Sequence, residues 1–402
     1  MKLDRTVSAP SPVSPPLQIL IVSTRGVLWP RSGADLRVVH LARGLAALGH
    51  RVDVVGWVAR NYPAGRRVES DRLTLEQRHS LWLDLAIVAD RLRLVPITEL
   101  PLWLAPLRGA IARLTRARRY DIVEFVYPWF AGCYDAVQGG ARVVYSAHNV
   151  EIEWWRPRLA RRPLGGWFAR RLAAHERAAA SRAAGVVACS RADADWLREH
   201  CGVAADRLCV APNGFDEARL RAPEPEARRR LRRQLGFAQG TTIALFVGSR
   251  TAPNREAVSA ILECIAPRAG PAVRFVIVGR VGEFFGGTHP SNVQFAGRVG
   301  DTLDWMQAAD VGLNPMTSGS GTNIKLVEYC AAGLRVVTTE FGLRGFEPLR
   351  PWLTVGGIDD FAPAIMEARW PNAIPREALA PFAWTEAARQ VASLHTRLAA
   401  PR

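Results

Sequence analysis

The segment 318–333, Ser-Gly-Ser-Gly-Thr-Asn-Ile-Lys-Leu-Val-Glu-Tyr-Cys-Ala-Ala-Gly, combines residue types that could bind a phosphorylated ligand. It opens with a glycine-rich turn, which lets backbone amides approach a ligand closely. The residues after the turn predict a helix that ends at Gly333. The start of such a helix offers free N–H groups and the positive end of its dipole, so it could bind a diphosphate.

Glu328 stands in the middle of this predicted helix, among residues that are apolar or small on nearly every side. A helix of this composition should be buried. A buried carboxylate without a partner is costly or stays protonated, so something must hydrogen-bond it. The two hydroxyls of a ribose ring could do so, because both can donate to one carboxylate. The alternative is a buried ion pair with an arginine.

Lys325 lies three residues before Glu328, near the positive end of the helix, where a cation is locally unfavourable. The chain has one other lysine, Lys2, and otherwise uses arginine. A lysine at this position therefore suggests a compact point charge for a phosphate. The alternative is an exposed helix lysine.

Short β-branched runs alternate with helical stretches in both halves of the chain, which predicts parallel sheets with helices on both faces. We therefore expect an α/β protein with two doubly wound domains, which bind ligands at the carboxyl ends of their strands. The predicted strands are 17–23, 51–57, 121–126, 142–147, 185–189 and 207–213, then 241–249, 274–279, 293–297, 310–315 and 335–339.

The organisation follows from these runs and from the chain's composition. The 402 residues are 49% hydrophobic, and no apolar run reaches the length that spans a bilayer. Six scattered cysteines without a Cys-x-x-Cys pair argue against a zinc site and a disulfide framework. We expect a disordered leader at 1–16, a first domain at 17–215, a linker at 216–238, a second domain at 239–378 and a C-terminal helix at 379–402 that returns to the first domain.

The segment 318–333 resembles the second-domain signature of the retaining glycosyltransferases of family 4 (glycosyl transferases group 1). These enzymes have the GT-B fold, in which two Rossmann-like domains face each other across a cleft. Their usual pattern is Glu-x7-Glu, whose second Glu binds the donor ribose. Glu328 matches the second Glu and Ser320 stands at the first, as in a subgroup with a Gly-Ser-Gly-Thr loop. The resemblance implies that the donor is also bound by Ser320, Gly321, Thr322, Asn323 and Lys325.

Two stretches of the first half are similar to the same family. Residues 31–50 resemble its first glycine-rich loop and helix, so that Gly33 would bring backbone amides toward the reacting centre. The alternative is a plain loop before a helix. His148 ends a predicted strand, and the resemblance places it near the transferred sugar; the alternative is a hydrogen-bonded core histidine. Asn149 and Glu151 are weaker candidates.

The second half extends the resemblance. Residues 245–258 are similar to the family's first strand and loop there, so Arg250, or less well Arg255, would hold the donor diphosphate. Arg298 and Val299 lie in the segment whose backbone contacts the base. Residues 211–216, with the turn Pro-Asn-Gly, resemble the entry to the interdomain region, for which a structural role is the expectation.

The resemblance implies retaining transfer of a sugar from a nucleotide-sugar donor, UDP- or GDP-linked, to a glycan or lipid-linked acceptor in bacterial cell-surface polysaccharide synthesis. We expect no metal and no other cofactor, because Arg250, Lys325 and the helix start near Thr322 could stabilise the departing diphosphate. A sugar-nucleotide epimerase on the same fold and an inactive glycosyltransferase-like subunit are the alternatives. The net charge of +16 favours polyanions, but no nucleic-acid-binding module is recognisable.

Two basic stretches bear on the acceptor. Residues 103–120 and 154–182 mix tryptophans with dense arginine, a combination that can lie on an anionic membrane. The alternative is that these are solvated helix faces. We therefore expect a cytoplasmic protein that associates peripherally with the inner face of the plasma membrane.

Overall fold

The first half of the chain folds around a sheet whose strands are almost all parallel. The computed structural model describes residues 15–30, 32–99, 105–319, 321–367 and 373–400. Within them the strand order is β3-β4-β2-β1-β5-β6-β7-β8, and β3–β4 is the antiparallel pair. The strands are β1 (Gln18–Ser23), β2 (Arg51–Val58), β3 (Gly65–Ser70), β4 (Leu73–His79), β5 (Ile122–Val126), β6 (Arg142–Ser146), β7 (Gly185–Ala188) and β8 (Leu208–Val210).

The second half forms a separate parallel sheet in the order β11-β10-β9-β12-β13-β14. Apolar side chains on its two faces form two clusters, so helices cover both sides. The predicted class of two doubly wound α/β domains is therefore confirmed. The strands are β9 (Thr242–Val247), β10 (Val273–Val278), β11 (Val293–Gly297), β12 (Val311–Asn314), β13 (Arg335–Thr338) and β14 (Thr354–Val355).

Helices connect the strands and flank both sheets. In the first half they are α1 (Gly33–Ala47), α2 (Leu81–Arg91), α3 (Ala105–Ala117), α4 (Glu151–Leu159), α5 (Gly165–Arg182) and α6 (Arg191–Cys201). Those that follow are α7 (Pro225–Gln234), α8 (Ala252–Ala260), α9 (Leu303–Ala308), α10 (Ile324–Ala331), α11 (Glu340–Leu343), α12 (Phe361–Met366), α13 (Arg376–Leu379) and α14 (Trp384–Ala399). In the described part of the chain, none of them is long and apolar enough to cross a membrane.

Strands β3, β4 and β14 and the helix α2 were not among the predicted elements. Strand β3 is exposed on both faces at nearly every position, so it lacks the alternation of apolar and polar residues that marks a half-buried strand. It pairs with β4, and α2 follows at the end of β4. Strand β3 and helix α2 do not alter the parallel core of the sheet.

The C-terminal helix returns to the first domain. Helix α14 crosses α1 so closely that the Cβ of Ala388 would lie 2.4 Å from a Cβ built at Gly44. Its far end packs on β7, where Leu394 and Leu398 close over Gly185. His395, fully buried, places its Nε2 3.2 Å from Oε2 of Glu124 on β5. The helix is therefore part of the first domain's core, although the second domain precedes it.

Two chain crossings between the domains run side by side. The N–H of Phe215 donates to the carbonyl of Phe382, and the N–H of Trp384 donates to the carbonyl of Phe215. Helix α7 in the linker is fixed to the second domain by ion pairs from Arg228 and Arg232 to Asp310. These contacts hold the crossings together and so set how the domains approach each other.

The Gly44 contact predicts a stability test. An exposed helix glycine usually gains stability when it is replaced by alanine, but Gly44→Ala should destabilise the protein by about 1–3 kcal/mol because its methyl group overlaps Ala388. Gly166→Ala in α5 is the matched control, since that position is exposed and has room. Denaturant unfolding of both variants checks this. Equal stability of the two would contradict the close packing of α1 on α14.

Candidate active site

Helix α10 begins where the two domains meet. Its first residue, Ile324, faces the first residue of α1, and a Cβ built at Gly33 would lie 2.9 Å from Ile324 Cδ1. Asn323 is the N-cap residue of α10, but its side chain accepts no hydrogen bond from the helix and donates instead to the carbonyl of Gly342, 3.3 Å away. The first N–H groups of α10 therefore lack a side-chain cap at the cleft between the domains.

Glu328, one turn into α10, is half-buried. Its carboxylate has no hydrogen bond or ion pair with any other described residue, and nearby Arg219 is paired with Asp301 instead. Burial raises the pKa of Glu328 to about 7, an effect that the charge of Arg219 only partly offsets. The predicted alternative, an ion pair with an arginine, is therefore not formed among the residues described.

Lys325 is half-buried rather than exposed. Its ammonium donates to Oδ1 of Asn254 at 2.8 Å and lies 4.0 Å from the centre of the Phe246 ring. Burial lowers the pKa of Lys325 to about 7. An anion at the start of α10 would restore the full positive charge of this side chain.

His148 follows β6 in the first domain and is only 5% exposed. Neither ring nitrogen has a hydrogen-bond partner among the described residues, and the ring lies 5.1 Å from that of Tyr127. Burial, helped by the positive charges of Arg37 and Arg25, holds the pKa of His148 well below its usual value. The ring is therefore neutral, with one donor and one acceptor nitrogen left for a ligand.

Two buried carboxylates hold the turn that follows His148. Glu151 accepts hydrogen bonds from Nδ2 of Asn149 at 3.0 Å and from Nε1 of Trp155 at 3.2 Å. Glu176 on α5 accepts the N–H groups of Glu151 and Ile152 at 2.8 and 3.0 Å, so it caps α4 from outside the helix. Burial raises the pKa of Glu151 to about 6 and that of Glu176 to about 8.

The glycine-rich loop before α10 is held by both domains. Nδ2 of Asn213 donates to Oγ1 of Thr322 at 2.8 Å, and a Cβ built at Gly321 would lie 2.4 Å from Oδ1 of Asn149. From the second domain, Arg344 donates to the carbonyl of Gly321 through Nε at 3.0 Å and Nη2 at 2.6 Å. A structural role was expected for Asn213 from its Pro-Asn-Gly turn, whereas nothing in the sequence marked Arg344.

The remaining candidate donor-binding residues belong to the second domain. Nε of Arg250 lies 3.3 Å from Oε2 of Glu283, and its guanidinium lies over the ring of Phe284, as does that of Arg255. Arg298 is exposed. Val299 is half-buried and packs against the second domain's core. Ser320 lies outside the described residues.

The expectation of metal independence also assumed that the chain lacks an Asp-x-Asp motif, which is wrong, because Asp193-Ala194-Asp195 is one. It lies in the first turns of α6, where Asp193 accepts from the hydroxyl of Ser190 at 2.6 Å and Asp195 pairs with Arg198. Side chains two apart on a helix do not face each other, so these two carboxylates do not form one site. In the part of the chain that is described, no three His, Cys, Asp or Glu side chains cluster as metal ligands.

A cavity of about 1220 Å³ opens at the other end of α10, beside Gly333 and Leu334. It contains none of the predicted site residues, and it lies at the helix C-terminus, which presents carbonyl groups rather than amides. The cleft at the start of α10 is the better candidate. It offers uncapped amides and an ammonium group beside an unpaired carboxylate, opposite a neutral imidazole, an arrangement suited to a ligand with phosphate and hydroxyl groups.

Comparison with known proteins agrees with this architecture. Residues 31–219 match the family described as Glycosyltransferase Family 4, and residues 241–367 match Glycosyl transferases group 1. No curated protein matches the sequence of the chain.

Solved structures match it throughout, at identities that establish the fold alone. Sucrose-phosphate synthase from Thermosynechococcus elongatus has a TM-score of 0.64 and 18% identity, covering 95% of this chain and 96% of its own. HepE of Anabaena, in complex with UDP and glucose, has the same score and identity, covering 94% and 98%. WaaG, a glycosyltransferase involved in lipopolysaccharide biosynthesis, has 0.60 and 19%, covering 93% and 95%. The two family matches together span most of the chain, which is therefore a glycosyltransferase of the GT-B fold.

Proposed function

We propose that this glycosyltransferase moves a sugar from a UDP- or GDP-sugar to a glycan or lipid-linked acceptor, with retention of configuration and without a metal ion. The observation that carries the proposal is the unpaired, half-buried carboxylate of Glu328, one turn behind the uncapped start of α10. A nucleotide would satisfy both features at once. Its ribose hydroxyls would donate to Glu328, and its diphosphate would accept from the helix amides.

Leaving-group stabilisation is the main chemical requirement of such a transfer. The amides at the start of α10 and the ammonium of Lys325 would carry the negative charge that develops on the departing diphosphate. Arg250 would join them after leaving Glu283, which requires a movement of an exposed side chain. The fact that HepE binds UDP and glucose on the same fold supports a nucleotide-sugar donor.

His148 would act on the transferred sugar. Because its ring is buried and neutral, it would hydrogen-bond a sugar hydroxyl or the acceptor rather than supply a fixed positive charge. In the front-face mechanism expected of a retaining enzyme of this family, the acceptor attacks within an ion pair, and the departing diphosphate takes its proton. The mechanism needs no pair of carboxylates of the glycosidase kind.

An exposed apolar ridge on α2 supports the proposal that the acceptor is linked to a lipid. Leu81, Leu85, Val88 and Leu92 are between 41% and 64% exposed, and their spacing of four, three and four residues places them along one face. The exposed side chains of Leu94, Leu164 and Trp167 extend the apolar surface beyond the end of α2.

The ridge is continuous with a basic part of the second arginine-rich stretch. Nη2 of Arg93 donates to the carbonyl of Arg161, and Nη2 of Arg162 donates to Asp90 at 2.8 Å. The other carboxylate of α2, Asp84, is paired with Arg60. The carboxylates of α2 are thus neutralised.

This surface fits an anionic membrane. We place the protein in the cytoplasm, at the inner face of the plasma membrane, with a lipid-linked acceptor of cell-surface polysaccharide synthesis. The role of WaaG in lipopolysaccharide biosynthesis is consistent with that class of acceptor.

The first prediction from this function concerns the donor and the metal. Thermal-shift screening should find that UDP or GDP stabilises the protein more than ADP or dTDP does. The corresponding UDP- or GDP-sugar should be turned over at the same rate with and without EDTA, since the charge is carried by Lys325 and backbone amides. A strict requirement for added divalent metal would overturn metal independence. With donor alone, appearance of an epimer would indicate the epimerase alternative.

A second prediction concerns Glu328→Gln. Burial raises the carboxyl pKa from 4.5 to about 7, so the unfolded chain ionises this group at a lower pH than the native state does. Without ligand, the melting temperature of the variant should therefore rise relative to the native chain as pH increases from about 4.5 to about 7, and the difference should then level off. UDP or GDP affinity should fall about tenfold, the effect of weakening a hydrogen bond to a charged group.

Glu199→Gln is the matched control for this experiment, because Glu199 is an exposed helix residue. It should change neither the pH dependence of melting nor nucleotide affinity. A stability difference that is independent of pH, or unchanged affinity in Glu328→Gln, would argue against the proposed role of the carboxylate.

A third prediction concerns the α2 ridge. The protein should sediment with vesicles of phosphatidylglycerol and phosphatidylcholine at low salt, and less with phosphatidylcholine alone. Leu85→Gln/Val88→Gln should reduce binding about tenfold or more, because each side chain contributes about 1.5–3 kcal/mol when fully buried. Val68→Gln, on exposed strand β3, is the control. Absence of vesicle binding at low salt would remove the membrane proposal and leave the donor chemistry unaffected.

A further inference from the structure

Arg37 is a fully buried arginine with no carboxylate in ion-pair contact among the described residues. It lies on α1 and is 1% exposed. Its Nη1 donates to Oδ1 of Asn213 at 3.1 Å, and its Nη2 donates to the carbonyl of Ala211 at 2.7 Å. Burying a guanidinium against neutral acceptors is costly, and packing alone does not explain it. The site lies one turn from Gly33, where the domains meet.

The contact fixes the orientation of the Asn213 side chain. A guanidinium has donors and no acceptor, so the amide oxygen of Asn213 must face Arg37. The amide nitrogen then faces Thr322, whose Oγ1 lies 2.8 Å away. Because the amide nitrogen can only donate, Oγ1 of Thr322 is the acceptor in this bond. The hydroxyl proton of Thr322 is left to be donated elsewhere.

The surroundings of Thr322 restrict where that proton can go. The methyl group of Thr322 packs on Gly345, where a built Cβ would lie 2.1 Å from Thr322 Cγ2. In the described part of the chain no acceptor receives the hydroxyl proton. Thr322 immediately precedes Asn323, the N-cap residue of α10, so the hydroxyl belongs to the same loop as the uncapped amides.

We propose that Arg37, acting through Asn213, presents the Thr322 hydroxyl as a hydrogen-bond donor to the diphosphate of the nucleotide-sugar. Thr322 would contact the ligand, and Arg37 and Asn213 are positioning residues. The inference rests on the proposed function, in that it places the diphosphate at the start of α10. It adds a link between the domains, because the positioning residues belong to the first domain and Thr322 to the second. Donor affinity therefore depends on the domains being in contact.

The test compares nucleotides with nucleosides by calorimetry: UDP and GDP against uridine and guanosine. Thr322→Val removes the donor with little change of shape, and should weaken binding of the diphosphate about 10–100-fold, the effect of losing a hydrogen bond to a charged group. Nucleoside affinity should not change. Thr322→Ser keeps the hydroxyl and should restore most of the diphosphate affinity.

Asn213→Asp tests the direction of the hydrogen bonds in the relay that runs from Arg37 through Asn213 to Thr322. The carboxylate would accept from both Arg37 and Thr322, so the hydroxyl proton would be withdrawn from the ligand, and diphosphate affinity should fall as in Thr322→Val. The double variant Thr322→Val/Asn213→Asp should bind the diphosphate only slightly more weakly than either single variant, because both substitutions act on the same hydrogen bond.

Different results would contradict the proposed function and the relay. If the native chain binds none of the nucleotides, the proposed function fails. If it binds UDP or GDP and Thr322→Val binds as tightly, the relay is wrong. An equal loss of affinity for nucleotide and nucleoside would also overturn the relay, because it indicates general disruption of the site. Additive losses of affinity in the double variant would overturn it too, because they indicate independent effects.

Discussion

The rest of the site depends on the close meeting of two helix starts at the domain interface. Gly33 and Ile324 are in contact there, and a side chain at Gly33 would displace the Cδ1 end of Ile324. The positive ends of α1 and α10 thus converge on one small region. Such an arrangement is unfavourable until an anion lies near it. The ends differ in one respect: Ser32 caps α1 by accepting the N–H of Asp35, whereas α10 has no side-chain cap. The free amides therefore belong to the second domain.

This geometry is maintained by elements far from the cleft. The paired crossings at Phe215 and Ala383 join the two domains at one end, beside the packing of α14 on α1. The other end is held by polar contacts of the glycine-rich loop, such as Asn213 with Thr322, and by Ile324, which packs against the first domain's core. These few contacts break and form more easily than an extended apolar core. Opening of the cleft for ligand exchange is therefore expected at the loop, with the crossings as the fixed side.

Buried strands and the chemistry of single residue types could be predicted from the sequence. Contacts between residues that lie far apart in the sequence could not. Strands such as β1 and β9 are apolar runs, and an acidic residue in an apolar helix identified Glu328 on its own. Arg37 gave a weaker signal, an arginine within an apolar helix, and its significance lies in contacts with residues more than 170 positions away. Helix α2 was missed although its apolar residues Leu81, Leu85, Val88 and Leu92 recur at helical spacing, and that spacing alone does not tell an exposed apolar face from one that covers a core.

The site therefore holds several polar groups in states that burial disfavours. Burial pushes Lys325 and Glu328 toward their neutral forms, one by losing a proton and the other by gaining it. A phosphate beside Lys325 and hydroxyls beside Glu328 would return both to their charged forms, with the proton released by one balancing that taken up by the other. Binding would thus recover electrostatic free energy that folding leaves unsatisfied. Polar groups that cost stability in the unliganded protein would in this way contribute to binding a charged ligand.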